Sequence, residues 1–393
     1  MRTRAMWGAG LMATALAVTS CGAGEDDKAS GTAENGLTVT AGLIGPETSA
    51  ASVYWTELVR GFELARSAAE TQYGVTYEIV ERDDKGEPET GARLVQELLN
   101  EEQVDVIVGP STSGVSLQAA PIIQRAGRPW LPSIPTADAI IDYSNDPNWA
   151  FRTNYNNAQN IATVGDIAFG DGQTVGMLYG TDGFGQAGYD AVQAYADDNG
   201  LELAAAEGVD PGAADMTSQL SRLKDAGADT VVMWFTTGAD QATALRSMDQ
   251  IGYDAEVVAT ATILDPAFTE LAEPAQWDSM VFAAPIDFEA PQMQELVTRY
   301  EEEYGEKPLI ITAVWASYAS SLLYAAAVSE AGDPSDYAAV RDAMEGLDSI
   351  DVVGQTFDAP FAKDDHELID PSGWLLYRYD EKGELVKVGQ AGV

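Results

Sequence analysis

The sequence predicts an α/β fold of two lobes, each a doubly wound parallel sheet, and three observations carry that expectation. Short apolar runs at 37–44, 75–80, 104–108 and 130–133 alternate with stretches of helical period, as a parallel sheet covered on both faces requires. A second series of the same kind starts at 174–179. The chain has 393 residues, 46% of them hydrophobic and 37 of them glycine, which is enough for two cores.

Residues 1–20 read as an export signal. Arg2 and Arg4 form its charged end, 5–18 its small-residue apolar centre, and Val18-Thr19-Ser20-Cys21 resembles the bacterial lipobox. That centre is shorter than the about 20 residues a bilayer-spanning helix needs. Cys21 is the single cysteine, so an internal disulfide is excluded and Cys21 is expected to carry a lipid. Residues 22–36, GAGEDDKASGTAENG, are a polar, acidic tether that cannot bury a core.

After the strand at 37–44, Trp55, Leu58, Val59, Phe62, Ala65 and Ala69 form the apolar stripe of a helix, with Tyr54 at its start. A strand at 75–80 follows, then a helix opened by Pro88 and lined by Leu94, Val95, Leu98 and Leu99. The strand at 104–108 runs into Gly109–Gly114, a loop of Gly, Pro, Ser and Thr, and a helix is expected to begin near Ser113. Its free N–H groups and positive dipole end would lie at the carboxyl edge of the sheet, a place suited to an anion. The glycine spacing here is that of a nucleotide P-loop, but Val115 stands where the phosphate-binding lysine belongs. The strand at 130–133 leads into Ile134-Pro135-Thr136, a loop expected beside the first.

With Gly109, Ser113, Gly127 and Thr136 in this arrangement, the chain resembles the periplasmic-binding-protein family that serves ABC importers, in its branched-chain amino acid (Leu/Ile/Val) type. The resemblance implies two type 1 lobes joined by three crossings that act as a hinge, with a ligand in the cleft. By it, Ser113, the main chain near Ile134, and Thr136 would hold a ligand carboxylate, and Tyr54 is the nearest match to a ligand-facing aromatic. Phe151-Arg152 looks like the first crossing; a salt bridge is the expected role of Arg152 in so acidic a chain. Lobe 1 is expected over 37–152 and 286–350, and lobe 2 over 153–285 and 351–393.

The second series contains Gly183-Phe184-Gly185-Gln186-Ala187-Gly188, a formal G-x-G-x-x-G with Glu207 and Asp210 about 20 residues on, where a dinucleotide's ribose would be held. An NAD(P)-dependent oxidoreductase is therefore the alternative. Against it, Gly180-Thr181-Asp182 separates the strand from the glycines. The resemblance offers a different reason for the pattern, an aromatic at Phe184 that covers the ligand from lobe 2. Further strands are expected at 201–206, 230–235 and 256–260, with helices at 216–226 and 240–251. Residues 234–237 and 260–263 lie at strand ends and should face the cleft, with Trp234, Thr237 and Thr262 as the ligand-facing candidates. Amino-acid binders place an acidic residue at the last of these sites, where this chain has Ala261 and Thr262; Asp240 and Asp265 are the available substitutes.

A polar helix is expected at 291–304 and a long apolar one at 310–328, whose serines and tyrosines suit a buried core helix. Residues 374–388 read as a hairpin turning at 381–383.

Charge and composition exclude other classes. With 63 acidic against 21 basic residues the net charge is −42, so no basic stripe exists to replace the counterions of a nucleic acid. His366 is the single histidine and sits in an acidic loop, which leaves a zinc site or a Ser-His-Asp arrangement without material. Asp83-Asp84 and Asp364-Asp365 lack calcium-loop spacing; paired carboxylates for glycoside hydrolysis stay open, because their pairing is spatial. The reading is a lipid-anchored, extracytoplasmic, monomeric solute receptor without cofactor, metal or catalysis, which closes on an amino acid or a related carboxylate or amide and delivers it to a membrane permease.

Overall fold

The computed structural model describes residues 36–170, 172–277, 280–370 and 372–390. Cys21, the export segment and most of the tether lie outside the described residues.

The first lobe contains β1 (Leu37–Gly45), α1 (Ser52–Leu64), α2 (Arg66–Tyr73), β2 (Val75–Asp83), α3 (Pro88–Asn100), β3 (Val106–Val108), α4 (Ser113–Ala126) and β4 (Trp130–Leu131). The strands pair in the order β2-β1-β3-β4, all parallel. Alternation along β1 shows why both faces must be covered: Val39, Ala41 and Leu43 join the core under α1, while Ile44 joins Leu94, Val95 and Leu98 of α3. The stripe expected of one helix is divided at Ala65 between α1 and α2.

In the second lobe come α5 (Asn157–Ala168), β5 (Val175–Gly180), α6 (Gly183–Asn199), β6 (Ala205–Val209), α7 (Thr217–Asp225), β7 (Thr230–Trp234), α8 (Gly238–Gln250), β8 (Glu256–Ala259), α9 (Pro266–Leu271), α10 (Pro274–Trp277) and β9 (Met280–Ala284). The chain then supplies α11 (Pro291–Tyr304), α12 (Ile311–Ala331), α13 (Tyr337–Gly346) and the hairpin of β10 (Ser349–Val352) with β11 (Gln355–Asp358). It ends on β12 (Leu375–Tyr379) and β13 (Leu385–Gln390). The second sheet runs β13-β12-β9-β8-β7-β5-β6, parallel from β6 to β9 and closed by the antiparallel pair β12 and β13.

Helix α12 returns to the first lobe and packs along α1, α2 and α13. Among the described residues it alone is long and apolar enough to cross a membrane, and it is buried in the molecule. Its hydroxyls explain the polar content: Ser320 Oγ lies 2.7 Å from both Ser133 Oγ and Thr153 Oγ1, tying the helix to the end of β4 and to the first crossing. Gly61 of α1 lets the two helices approach, since a Cβ there would stand 2.5 Å from the Val314 carbonyl oxygen. The hairpin of β10 and β11 pairs Ser349 with Asp358 and packs near α12, so the expected boundary at 350/351 falls inside it.

The first and third crossings run side by side. Arg152 N–H donates to His366 O at 2.8 Å, and Leu368 N–H donates to Arg152 O at 2.9 Å. The buried Arg152 guanidinium pairs with Glu367 at 3.2 Å and donates to Ala137 O at 3.0 Å, so it braces the ligand-side loop from below.

Candidate functional site

A cavity lies between the two lobes. It is walled by the carboxyl-end loops of the parallel strands. The first lobe supplies Tyr54, the turn Ser111–Ser113, Ile134–Thr136, and Ile310 to Ala313 at the start of α12; Asn154 and Tyr155 come from the first crossing. The second lobe supplies Phe184, Thr236, Ala261 and Thr262. Of the eight residues expected at the ligand, Tyr54, Ser113, Ile134, Thr136, Phe184 and Thr262 line this one space.

Trp234 and Thr237 do not line it. The Trp234 indole is buried against α6, so close that a Cβ on Gly188 would stand 2.4 Å from its ring. Thr237 is turned to cap α8: its Oγ1 donates to Asp240 Oδ2 at 2.9 Å and accepts from Asp240 N–H at 3.3 Å. Thr236, one residue earlier, takes the cavity position.

The geometry suits an acceptor. Helix α4 begins at Ser113 and has no side-chain cap, so its first-turn N–H groups face the site unspent. Helices α6, α8 and α9 are capped by Asp182, Thr237 and Asp265. Ser113 Oγ accepts from Thr136 N–H and Ala137 N–H, both at 3.3 Å, and keeps its own proton to donate. The Asn157 carboxamide, with its NH₂ toward Thr136 Oγ1 at 2.6 Å, accepts from Gly188 N–H at 3.2 Å; the Thr136 hydroxyl is then also free to donate. Ser111 Oγ and Tyr54 OH are buried without a partner. Burial pushes the Tyr155 phenol up to about 12 and the Tyr54 phenol well above its ordinary value, so both remain protonated donors.

The acids considered for a ligand ammonium are already engaged. Asp265 accepts from Gly238 N–H and Ala267 N–H at 2.9 and 3.0 Å, and Asp240 accepts from Gly212 N–H at 2.9 Å besides the Thr237 hydroxyl. The glycine run is likewise accounted for by packing. Its residues lie inside α6; Gly183 meets the backbone of Gly114 across the cleft, Gly185 lies against the Gly180 carbonyl, and Gly188 makes room for Trp234. The place of a dinucleotide phosphate holds the Asp182 carboxylate, which accepts from Gly185 N–H at 2.9 Å. Glu207 pairs with Arg222 at 2.6 Å and Asp210 accepts from Thr181 at 2.8 Å, so neither is left for a ribose.

Sequence reasoning missed Asn154 and Tyr155, and gave no individual role to Ser111 or Thr236 within the loops it placed at the cleft. Asn154 and Tyr155 immediately precede α5, whose start carried a readable signal: Asn156 and Gln159 form a reciprocal capping box.

Comparison with known proteins agrees with this architecture. A family model described as periplasmic binding protein matches residues 38–384. The Leu/Ile/Val-binding protein homolog 2 of Brucella abortus is 24% identical over 307 residues, 76% of this chain and 81% of that one. Homolog 1 of Brucella suis is 23% identical over 306 residues, with the same coverage of 76% and 81%. Among solved structures, a type 1 periplasmic binding protein from Bordetella pertussis superposes with TM-score 0.80 at 22% identity, covering 90% of this chain and 100% of its own. A Rhodopseudomonas palustris ABC-transporter solute binding protein in complex with benzoate gives 0.75 at 19% identity, covering 90% and 96%. The Streptococcus pneumoniae branched-chain amino acid transporter substrate binding protein in complex with isoleucine gives 0.71 at 19%, covering 89% and 100%.

Proposed function

The chain belongs to the periplasmic binding protein family, and from that premise we propose that it is the exported solute receptor of an ABC importer, closing on one small organic molecule and presenting it to a membrane permease. The observation that carries the reading is a cavity walled by strand-end loops of both lobes, with the uncapped α4 terminus on one side and Phe184 on the other. A ligand that touches both lobes binds the closed form better than the open one and so draws the lobes together. Binding groups are Ser113, Thr136 and the main chain at Ile134 for the ligand's acceptor end, with Tyr54, Phe184 and Thr262 around its body. No catalytic step is assigned, since the family is one of binding proteins.

The test is calorimetric titration with small carboxylates, amino acids and amides, alongside small-angle scattering. The reading expects one saturable ligand per chain and a smaller radius of gyration when it is bound; saturable binding with unchanged dimensions would refute closure. Attachment belongs to the same proposal: Cys21, exposed by cleavage after Ser20, carries the lipid, and the tether gives the receptor its reach. Cys21→Ala should move the protein from the detergent phase to the aqueous phase, and unaltered partitioning would refute the anchor.

A further inference from the structure

We infer that the ligand is a monocarboxylate with no ammonium group, its body apolar or bearing at most an uncharged polar substituent. The inference rests on the receptor reading above and concerns the same cavity.

No lining side chain is Asp, Glu, Lys, Arg or His. Of the acids close to the lining residues, Asp265 is held by two backbone N–H groups, Asp240 by Gly212 and Thr237, Asp182 by Gly185 and the Thr236 hydroxyl, and Asp138 by Ala158 N–H; Glu57, behind Tyr54 and Ile310, accepts from Leu309 N–H, and burial pushes its carboxyl up, towards the neutral form. Thr262, which stands where an acid would meet an amine, has its hydroxyl bonded to Gln241 and Thr260. An ammonium closed into this space would leave water and meet no lining carboxylate; Asp265, close enough to act on the Tyr54 phenol, is turned to two backbone N–H groups instead, so the amine's burial would be poorly compensated.

The unspent groups are donors. They are the first-turn N–H groups of α4, the hydroxyl protons of Ser113 and Thr136, and the hydroxyls of Ser111 and Tyr54, which are buried and lack any partner. Donors in this number fit an acceptor-only group, and a carboxylate at a helix start also gains from the dipole. The remaining wall mixes apolar and aromatic side chains, Ile134, Phe184, Ala261, Ile310 and Ala313, with the uncharged polar groups of Asn154 and Thr312. A body without charge fits that wall.

The experiment compares matched pairs that differ only in the amine: leucine with 4-methylpentanoate, and phenylalanine with 3-phenylpropanoate, by calorimetry on the ligand-free full chain. Each des-amino acid should bind at least about tenfold more tightly than its amino acid. Tyr54→Phe, which keeps the ring and removes the unpartnered hydroxyl, and Ser111→Ala should each lower the affinity for the tighter pair member several-fold. Tighter binding of either amino acid than of its partner would overturn the inference and leave the receptor reading standing. So would mass spectrometry that finds an amine-bearing or carboxylate-free molecule released from the natively purified protein. If none of the four probes binds and nothing is released, the receptor reading fails and the inference with it.

Discussion

A hydroxyl that accepts two backbone N–H groups still has a proton to give, and Ser113 is in that position. Ser113→Ala therefore removes a donor to the ligand and an anchor of the 134–137 loop together. Affinity should fall by about tenfold or more, and stability by about 1 kcal/mol; calorimetry and thermal melts on the same variant separate the two effects. Asp84 offers a residue-scale test of stability. Its side chain is fully buried at the end of β2, and burial pushes its carboxyl up from 3.8 to about 6. The folded state thus holds a proton that the unfolded state has lost between those values, so this group's contribution to stability is complete below 3.8 and is lost as pH rises through 6. Asp84→Asn should stabilise the protein by about 1 to 3 kcal/mol at pH 7.5, with the gain vanishing towards pH 4. Buried His366, whose imidazole burial pushes below its ordinary value, acts in the opposite direction but is common to both proteins, so it cancels in the comparison. Residues whose position followed from strand-end geometry, such as Ser113, Ile134 and Thr136, were legible in the sequence. Thr237 borders the cleft but caps α8 instead of lining the cavity, and Thr237-Gly-Ala-Asp240 carries the spacing of a capping box, which is a local signal. Trp234 had no such signal, because what turns it away from the cavity is Gly188, a residue made adjacent only by the fold.

At the scale of elements, α4 and α6 meet end to end across the cleft. A Cβ on Gly183 would stand 2.4 Å from Gly114 Cα, so this contact exists only because both positions lack side chains. Gly183→Val should keep both lobes folded and hold them apart, lowering affinity by about tenfold or more without a matching loss of melting temperature. Scattering that still shows full compaction on ligand addition would exclude this role. The glycine pattern that suggested a dinucleotide was real, and each glycine has a neighbour that forbids a side chain; sequence spacing alone could not tell phosphate approach from helix approach. Helices with an apolar stripe or a proline start, α3 and α11, were legible nearly to the residue. Helix α5 was not, because Asn157, Asn160 and Thr163 occupy buried positions where an apolar stripe would be sought. Strand β6 falls at Ala205–Val209, four residues later than its start was expected, since small residues and Gly208 gave no alternation to fix its register.

For the whole molecule the dominant quantity is the net charge of −42. Most arginines of the described chain are paired, among them Arg82 with Glu97 and Glu102, yet such pairs leave the acidic excess intact. Self-repulsion should destabilise the compact state in dilute buffer, where the Debye length is about 30 Å, and be relieved near 1 M, where it is about 3 Å. Melting temperature should rise with NaCl over that range; a flat curve would show that the carboxylates are too well separated to matter. The same shell repels an anionic ligand, so a carboxylate's association rate, followed by stopped-flow fluorescence, should also climb with salt, whereas a zwitterion's should not. The two-lobed architecture was legible because it depends on periodicity and length. The exact residue where the chain passes between lobes was not, because the hairpin of β10 and β11 carries no mark of the lobe it joins.

The ladder between the first and third crossings sets how the lobes move. Arg152 is hydrogen-bonded through both its N–H and its carbonyl to the strand carrying His366 and Leu368, and its guanidinium is clasped by Glu367. Two ribbons stitched in this way should bend together and resist shear, so the opening proposed above would follow one angular coordinate. On the receptor reading proposed above, occupancy of the cavity would thereby become a single angle, the one quantity a permease would need to read in order to tell a loaded receptor from an empty one.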